Sequence, residues 1–478
     1  MKQFKEIKES INREVFSIVS SKQCIISTTI VGSFIGSKGI EGISDIDIVI
    51  IVEKLTQTIF EDINNSFQQI KSSQIGLDDF DIFINNTFGP LKFNNRKNIV
   101  FHLMIYDIEG HIDHVEQSPF TCYSWESFNP IQGISLREVY PVLNLQIKDI
   151  LESRRGILSY LRDIDNGIIT YRKYSFRKGK TITLKDKLKL DLKHRIEYSY
   201  HITYNLLNNF YKIISREQRS LKDHEIISFY SKFETFPNHN IQFFKELFLW
   251  KRKGSSSPLN EMDKIKLFIN DFFSLVEIFK STGKITSFRR HQITELNDGK
   301  FLGVNRDPSI TKISKTISDF EYQIGYCSQL KRSKETFLGY YTTEIIESSL
   351  LNEIDYGLAE GLDIDQLNYK FPEITSSWEM EEDPKFPEGE CQNDVLIRVR
   401  EFLTKSLQSD KNCLVITHLV VLRMVMFYYL NLDFKNLYKI RIEHLEGFDI
   451  LNYKNYRSIE IENETRKSIR KQLSIKND

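Results

Sequence analysis

From Val139 to Thr282 the chain shows long runs of helical apolar spacing, such as "VLNLQIKDILESRRGILSYLRDI" and "LKHRIEYSYHITYNLLNNFYKII", and little that reads as strand. An apolar stripe at that period must be covered by other helices, so this region is predicted to be a helical bundle. Short apolar runs stand on either side of it. Before it, "CIISTTIVGSF", "DIDIVIIV", "FDIFINN" and "NIVFHLMIYD" surround one helical stretch near Leu55–Lys71, a pattern that predicts a mixed sheet. After it, from Gly283, strand-like and helix-like stretches alternate up to "HLEGFDILNY", as in a second α/β domain. The expected class is α/β multidomain, with segments 1–135, 136–282 and 283–460 and a charged tail, 461–478, that should fray. The 478 residues suit this division, because one domain takes about 100–200 residues.

Composition narrows the partners. Lysine plus arginine equals aspartate plus glutamate at 65 each, so there is no global basic excess for neutralising phosphates, and nucleic acid is not expected as a partner. The opening "MKQFKEIKESINREVF" lacks the apolar core of a signal peptide, and no later stretch offers about 18 uninterrupted apolar residues. A cytoplasmic protein without a membrane partner is expected. The five cysteines are scattered with no Cys-x-x-Cys pair, which predicts reduced, structural thiols.

In "IVGSFIGSKGIEGISDIDIVIIV", Gly32 and Ser33 end an apolar run, and Asp45 and Asp47 lead into a buried-looking strand. Residues i and i+2 of a strand share a face, so the two carboxylates stand side by side. They repel unless a cation lies between them, and hard oxygen ligands favour Mg²⁺ with a triphosphate. An Asp-x-Asp alone equally suits the exposed start of a strand. Gly-Ser upstream of a paired-carboxylate strand resembles the signature of the polymerase-β-like nucleotidyltransferase superfamily, over about Ser20–Tyr106. The resemblance implies a mixed-sheet nucleotidyltransferase fold, with Gly32 and Ser33 holding NTP phosphate and Asp45 and Asp47 binding Mg²⁺. It also implies a third carboxylate from a later strand, for which Asp81 is preferred and His102 is the alternative position. Without that third group the domain would bind nucleotides and not turn them over.

The second constellation begins at "SFRRHQITELNDGKFLGVNRDP". A histidine that attacks phosphorus must be neutral and surrounded by donors, and neighbouring arginines both lower its pKa and clamp phosphate. Arg290 directly before His291 meets that need, although an Arg-His pair alone is more often structural. Further along, Arg332 stands behind a strand end at the opening of a helix, and Glu353 lies in the turn-rich "LLNEIDYG". His418 ends the apolar strand in "CLVITHLVVLRMV". In this order the residues resemble the histidine phosphatase superfamily, the phosphoglycerate-mutase-like group, over about Lys284–Ile450 and in wording nearest the fructose-2,6-bisphosphatase branch. The resemblance implies that His291 becomes phosphohistidine, that Arg290, Arg332 and His418 hold the phosphoryl group, and that Glu353 is the general acid. Asn297 would add a phosphate donor. No cofactor is implied for this half, because arginines and His418 supply the positive charge. Gln292 departs from the pattern, since the family has glycine there; it is expected to narrow the pocket or add an amide contact.

Together the two likenesses predict a bifunctional enzyme. One half would transfer a nucleotidyl group from an NTP to a small acceptor; the other would hydrolyse a small-molecule phosphate ester, on sugar or polyol phosphates. The alternative is a regulatory or sensor protein that binds these ligands without turnover, or a nucleotidyltransferase that modifies a protein.

Overall fold

A computed structural model of the chain describes residues 2–36, 45–89, 98–177, 180–253, 260–296, 298–311, 320–430 and 432–475. It divides into two compact units. The first comprises 1–212, 217–276 and 474–478; the second comprises 213–216 and 277–473.

The first unit is built on strands β1 (Ile25–Val31), β2 (Ile46–Val52), β3 (Asp81–Asn85), β4 (Asn98–Asp107) and the short β5 (Gln132–Gly133). They form one sheet in the order β3-β4-β2-β1-β5. β4 runs parallel to both β2 and β3, while β1 is antiparallel to β2 and β5. The run "IDIVIIV" is apolar almost throughout because β2 is central and covered on both faces: Ile48, Val49, Ile50, Ile51 and Val52 are all fully buried. Helix Lys2–Ser20 covers one face with Ile7, Ile11, Val15 and Val19, which recur every fourth residue and join one core with β2 and β4.

The region expected to be wholly helical contains a hairpin. Between helices Ile147–Asp165 and Leu192–Ser215 lie β6 (Ile168–Arg177) and β7 (Lys180–Lys189), paired antiparallel along their length. Tyr174 and Phe176 pack their rings on Phe60, and Tyr174 donates its hydroxyl hydrogen to the Ile105 carbonyl at 2.8 Å. The hairpin thus belongs with the sheet. The rest of the region is helical, with Asp223–Tyr230, Asn238–Lys253 and Glu261–Thr282 following.

The second unit holds β8 (Lys284–Arg290), β9 (Glu321–Cys327), β10 (Tyr341–Glu347), β11 (Cys413–Thr417), β12 (Gly447–Tyr453) and β13 (Tyr456–Ile461). Their order is β10-β9-β11-β8-β12-β13, parallel from β10 to β8 and antiparallel beyond. β11 is fully buried and central, and the apolar helix Leu419–Tyr429 follows it after one residue. The tail expected to fray instead forms helix Asn463–Leu473, which buries Ile469. Among the described residues no helix is long and apolar enough to cross a membrane, and all five cysteines are free thiols.

Replacing the fully buried Ile50 with alanine removes side-chain volume from a closed core, at a cost of about 2–5 kcal/mol. Ile345 on β10 is 50% exposed, and its alanine variant should stay within about 0.5 kcal/mol of the parent. Urea denaturation followed by circular dichroism checks both: a lowered midpoint is expected for Ile50→Ala and an unshifted one for Ile345→Ala.

Candidate functional site

β8 and β11 are parallel neighbours, with Arg290 level with Thr417. The next residues, His291 and His418, therefore leave the sheet side by side at the carboxyl ends of the strands, where open α/β sheets place their ligands. Their ring centroids lie 5.0 Å apart. His291 N–H closes the pair by donating to the Thr417 carbonyl at 2.9 Å. Successive side chains of β8 face opposite sides. Arg289 thus turns to Asp449, 2.7 Å away, while Arg290 lines a cavity of about 810 Å³ together with His291 and Glu353.

Hydrogen bonds set the proton on each ring. His291 Nδ1 lies 2.6 Å from the Gln292 carbonyl oxygen, which can only accept. Nδ1 therefore carries the hydrogen. Burial, then the charge of Arg332, and Arg290 after it, push the His291 pKa well below the ordinary histidine value, so the ring is neutral and Nε2 keeps its lone pair. His418 Nε2 lies 2.7 Å from Ser328 Oγ, which itself accepts from Leu330 N–H at 3.3 Å. In the tautomer in which Ser328 donates its own hydrogen to Nε2, the His418 ring carries its single hydrogen on Nδ1. Burial first, and next the charge of Arg332, hold this ring neutral as well.

Around His291, three nitrogens are buried without a hydrogen-bond partner among the described residues: Nε of Arg290 and Nε of Arg332, both N–H donors, and Nδ1 of His418, a donor in the tautomer above. Buried donors are nearly always paired, so this set fits an oxyanion with several acceptor oxygens. Each guanidinium is fixed from behind. Arg332, completely buried, donates to the carbonyls of Gly303 at 2.8 Å and Arg306 at 3.1 Å and pairs with Asp307 at 3.2 Å. Arg290 donates to the Ile442 carbonyl at 2.8 Å. The loop that supplies the Arg332 acceptors is shaped by Glu360, whose carboxylate accepts from the N–H groups of Gly303, Asn305 and Arg306 at 3.0, 3.0 and 2.6 Å.

Glu353 is 6% exposed. Burial raises its pKa, against the opposing pull of the Ile354 N–H and then of Arg332 and Arg290. A carboxyl that holds its proton above the usual range can deliver it to a leaving oxygen. Arg398 secures the Glu353 turn, donating to the carbonyls of Leu350 at 2.9 Å and Glu353 at 3.2 Å while paired with Glu390 at 3.1 Å.

The structure thus gathers Arg290, His291, Arg332, Glu353 and His418 about one point. Gln292 takes a backbone role: its carbonyl orients His291 and its N–H donates to Thr336 Oγ1 at 3.0 Å, while its side chain is not among those lining the cavity. Asn297 lies outside the described residues. Sequence reasoning missed His444, whose Nδ1–H donates to the His291 carbonyl at 2.8 Å and whose ring lies 5.2 Å from that of His291. It also missed Ser328, Glu360 and Arg398. None of these belongs to a motif; each arrives through chain pairings distant in sequence.

In the first unit, Asp47 is level with Val31 of β1 on one side and His102 of β4 on the other. Gly32 has φ +84°, and a Cβ there would lie 2.6 Å from Asp47 Oδ2, so only glycine permits this approach. His102 Nδ1 lies 2.8 Å from Asp47 Oδ1, and its Nε2 lies 2.9 Å from the Thr87 carbonyl. Burial works to lower the His102 pKa, but the hydrogen bond and charge of Asp47, with the charge of Asp45, outweigh it and the net shift is upward. Asp45, Asp47 and His102 offer ligand atoms that all lie within 4.8 Å of one another. Two carboxylates and an imidazole fit a divalent cation such as Mg²⁺ or Mn²⁺.

The preference for Asp81 as the third group is corrected by the register. Asp81 is exposed on β3 level with Asn98, and the β3 residue level with His102 is Asn85. Four residues of strand, roughly 13 Å, separate the two levels. Ser33 is exposed at the start of the short helix Ser33–Gly36.

A family model described as histidine phosphatase superfamily (branch 1) matches residues 308–463. The C-terminal region matches the histidine phosphatase superfamily. The match starts beyond Arg290 and His291, so their place in the site rests on the strand register and the ring geometry above. Fructose-2,6-bisphosphatase of Saccharomyces cerevisiae is 28% identical over 107 residues, 22% of this chain and 23% of that protein. The matched stretch thus spans less than a quarter of that curated relative. Among solved structures, the α-ribazole phosphatase of Shigella flexneri is 16% identical, with 41% of this chain and 100% of that chain covered and a TM-score of 0.33. A mycobacterial glucosyl-3-phosphoglycerate phosphatase is 16% identical over 35% of this chain and 90% of that chain, with a TM-score of 0.28.

Glu360 touches the cavity only through the loop it shapes and the arginine held by that loop. Glu360→Gln, which weakens charged hydrogen bonds to three backbone N–H groups, is expected to raise the dissociation constant of inorganic phosphate about tenfold. Phosphate titration followed by isothermal calorimetry checks this; an unchanged constant would mean that Arg332 does not depend on the loop.

Proposed function

We propose that the C-terminal unit hydrolyses a phosphate monoester through a phosphohistidine on His291. The reading is carried by one observation: a neutral, buried His291 with Nε2 unprotonated, set among the Nε–H donors of Arg290 and Arg332 and Nδ1 of His418, which lack partners among the described residues. In the first step Nε2 forms a bond to phosphorus as the ester P–O bond breaks, and Glu353 gives its proton to the departing alcohol. In the second, water attacks the phosphorus and the P–N bond breaks. The Glu353 carboxylate accepts the water proton, and phosphate leaves. Arg290, Arg332 and the Nδ1–H of His418 would stabilise the charge on the phosphoryl oxygens in both steps.

The ester proposed is a sugar or polyol phosphate. The cavity is lined by Phe301, Tyr356, Trp378 and Phe386, whose rings contact one another, giving apolar faces for the carbon side of a sugar ring. Arg423 and Arg441 also line it and would meet a second acidic group. The name of the yeast relative, a sugar bisphosphatase, points the same way.

His291→Ala should lower hydrolysis of a sugar-phosphate panel about 10⁴-fold or more, and parental phosphate release by that variant would overturn the assignment. Glu353 acts as donor only while protonated. Because its pKa is raised, activity on alkyl phosphates should persist above the ordinary glutamate range and fall as pH rises through the shifted value. Glu353→Gln should remove that limb and cost about 10²–10⁴-fold on alkyl esters, with a smaller loss on p-nitrophenyl phosphate, whose leaving group needs no proton.

For the N-terminal unit we infer nucleotidyl transfer from an NTP to a small acceptor. An acceptor oxygen would bond to the α-phosphorus as the α–β phosphoanhydride breaks; pyrophosphate leaves and the hydroxyl proton passes to solvent. Asp45, Asp47 and His102 would hold a divalent cation, which would neutralise phosphate charge, and Gly32 and Ser33 would lie against the triphosphate. The reading is supported by the cluster and by the glycine that makes room for Asp47. A variant carrying Asp45→Asn and Asp47→Asn should lose both Mn²⁺ binding, followed by paramagnetic resonance, and NMP transfer from labelled NTP; retention of either would remove it.

A further inference from the structure

The even overall charge of the chain hides a local excess in the β6–β7 hairpin. Between Ile168 and Lys189 stand eight lysines and arginines and one acidic residue, Asp186. The pairing sorts them by face, because residues directly opposite in antiparallel strands share a face, as do residues two apart along one strand. Arg172 lies on the face of Tyr174 and Phe176 and directly opposite Lys185, and Lys187 and Lys189 continue that face. The three lysines recur every ~6.6 Å. All four cations are exposed, and among the described residues none is in an ion pair; Asp186, on the other face, pairs with Lys173 at 2.8 Å. Arg172 and Lys185 set like charges opposite each other, which costs the hairpin stability. Single lysines suffice to keep an exposed edge from pairing with other chains, and four aligned cations exceed that need.

The row of cations ends in a cavity of about 330 Å³, whose hairpin side is Arg172, Tyr174, Thr181 and Thr183, all of that same face. Phe88 and Tyr106 add rings to the lining, and the Phe88 ring lies 5.0 Å from that of Tyr174 and 5.5 Å from that of Tyr106. Helix Ile108–Gln117 brings Glu109, Asp113 and His114. Burial, then the charge of Arg172, lowers the His114 pKa to about 4, so that ring is neutral. Asp107, also in the lining, accepts from the N–H groups of Gly110 at 2.8 Å and Leu55 at 3.4 Å. Glu109 and Asp113 are exposed. A ligand must therefore suit cations on the hairpin, carboxylates on the helix and aromatic rings between. Nucleotides combine these properties: the phosphates are anionic, the bases are flat, and the exocyclic amino groups of cytosine and adenine donate to acceptors such as carboxylates. Uracil lacks that amino group.

We propose that the hairpin and this cavity form a site for single-stranded nucleic acid, with phosphates along Arg172, Lys185, Lys187 and Lys189 and one cytosine or adenine base in the cavity beside Glu109 and Asp113. Tyr106 stands four residues along β4 from His102, roughly 13 Å, so the site is separate from the Asp45, Asp47 and His102 cluster. Neither activity proposed above is needed for such binding.

Fluorescence anisotropy of labelled dodecamers with the full chain tests this. Oligo(dC) should bind about fivefold or more tightly than oligo(dU). With four phosphates neutralised, log Kd should rise with log salt at a slope of about 2.8. A variant with Lys185→Gln, Lys187→Gln and Lys189→Gln, altered only at exposed positions, should weaken oligo(dC) about tenfold or more and reduce the slope to about 0.7, with the parental melting temperature and phosphate release kept. Glu109→Gln with Asp113→Asn should abolish the preference for oligo(dC) over oligo(dU) without loss of affinity. Asp45→Asn with Asp47→Asn should leave binding unchanged. The proposal falls if no dodecamer binds at low salt, if oligo(dU) binds as tightly as oligo(dC), or if the triple lysine variant binds as the parent does. It falls equally if a duplex binds more tightly than the single strand, or if inorganic polyphosphate displaces the label as well as unlabelled oligo(dC) at equal phosphate concentration. Loss of binding in the Asp45 and Asp47 variant would place the strand at that cluster and overturn the separate site.

Discussion

The parallel pairing of β8 with β11 is the constraint on which the C-terminal site depends. With Arg290 level with Thr417, the chain cannot leave the sheet without placing His291 against His418. A slip of β8 by one residue against β11 would send the His291 ring to the opposite face from His418, because side-chain direction alternates along a strand. The pairing is held in turn by a fully buried β11, in which every residue contributes to the core. The site therefore takes its accuracy from the buried centre of the sheet.

Electrostatics follow from that placement. Two histidines buried among guanidinium groups stay neutral, and a carboxyl buried beside them is shifted the other way, toward its protonated form. The pull of Arg332 and Arg290 on Glu353 opposes its burial, so its acidity is set by a balance and not by one contact. Neutral imidazole, protonated carboxyl and charged guanidinium are the states that the proposed first step requires. In the first unit the same logic has the opposite sign: Asp45 and Asp47 draw charge toward them, and His102 is shifted upward.

The order of most elements, and the candidate residues that the structure brings together in the second unit, were legible because their signals are local. His418 could be placed at a strand end from "CLVITH", since burial on both faces makes that run uniformly apolar, and Arg332 at a helix start from "YCSQLKR", where an apolar strand end gives way to polar residues. The β6–β7 hairpin was not legible, because "YRKYSFRKGKTITLKDKLK" is largely charged and is held by Tyr174 and Phe176 on Phe60, more than a hundred residues away in the chain. The stagger of β3 against β4 was hidden as well; two apolar runs do not state their register, and that register decides between Asp81 and His102. His444 and Glu360 act on the backbone near the site, and backbone contacts leave no mark in residue type. Gln292 shows the converse, a departure in side chain at a position whose use is its carbonyl.

The account turns on which atom of which residue receives the phosphoryl group. Rapid quenching of the enzyme during turnover of a sugar phosphate, followed by mass spectrometric mapping and phosphorus NMR of the phosphopeptide, measures this directly. A phosphoryl group on Nε2 of His291, with Nδ1 unmodified, is the predicted result. Phosphate on Nδ1, on His418 or His444, or no phosphoenzyme at any time during sustained turnover would contradict it.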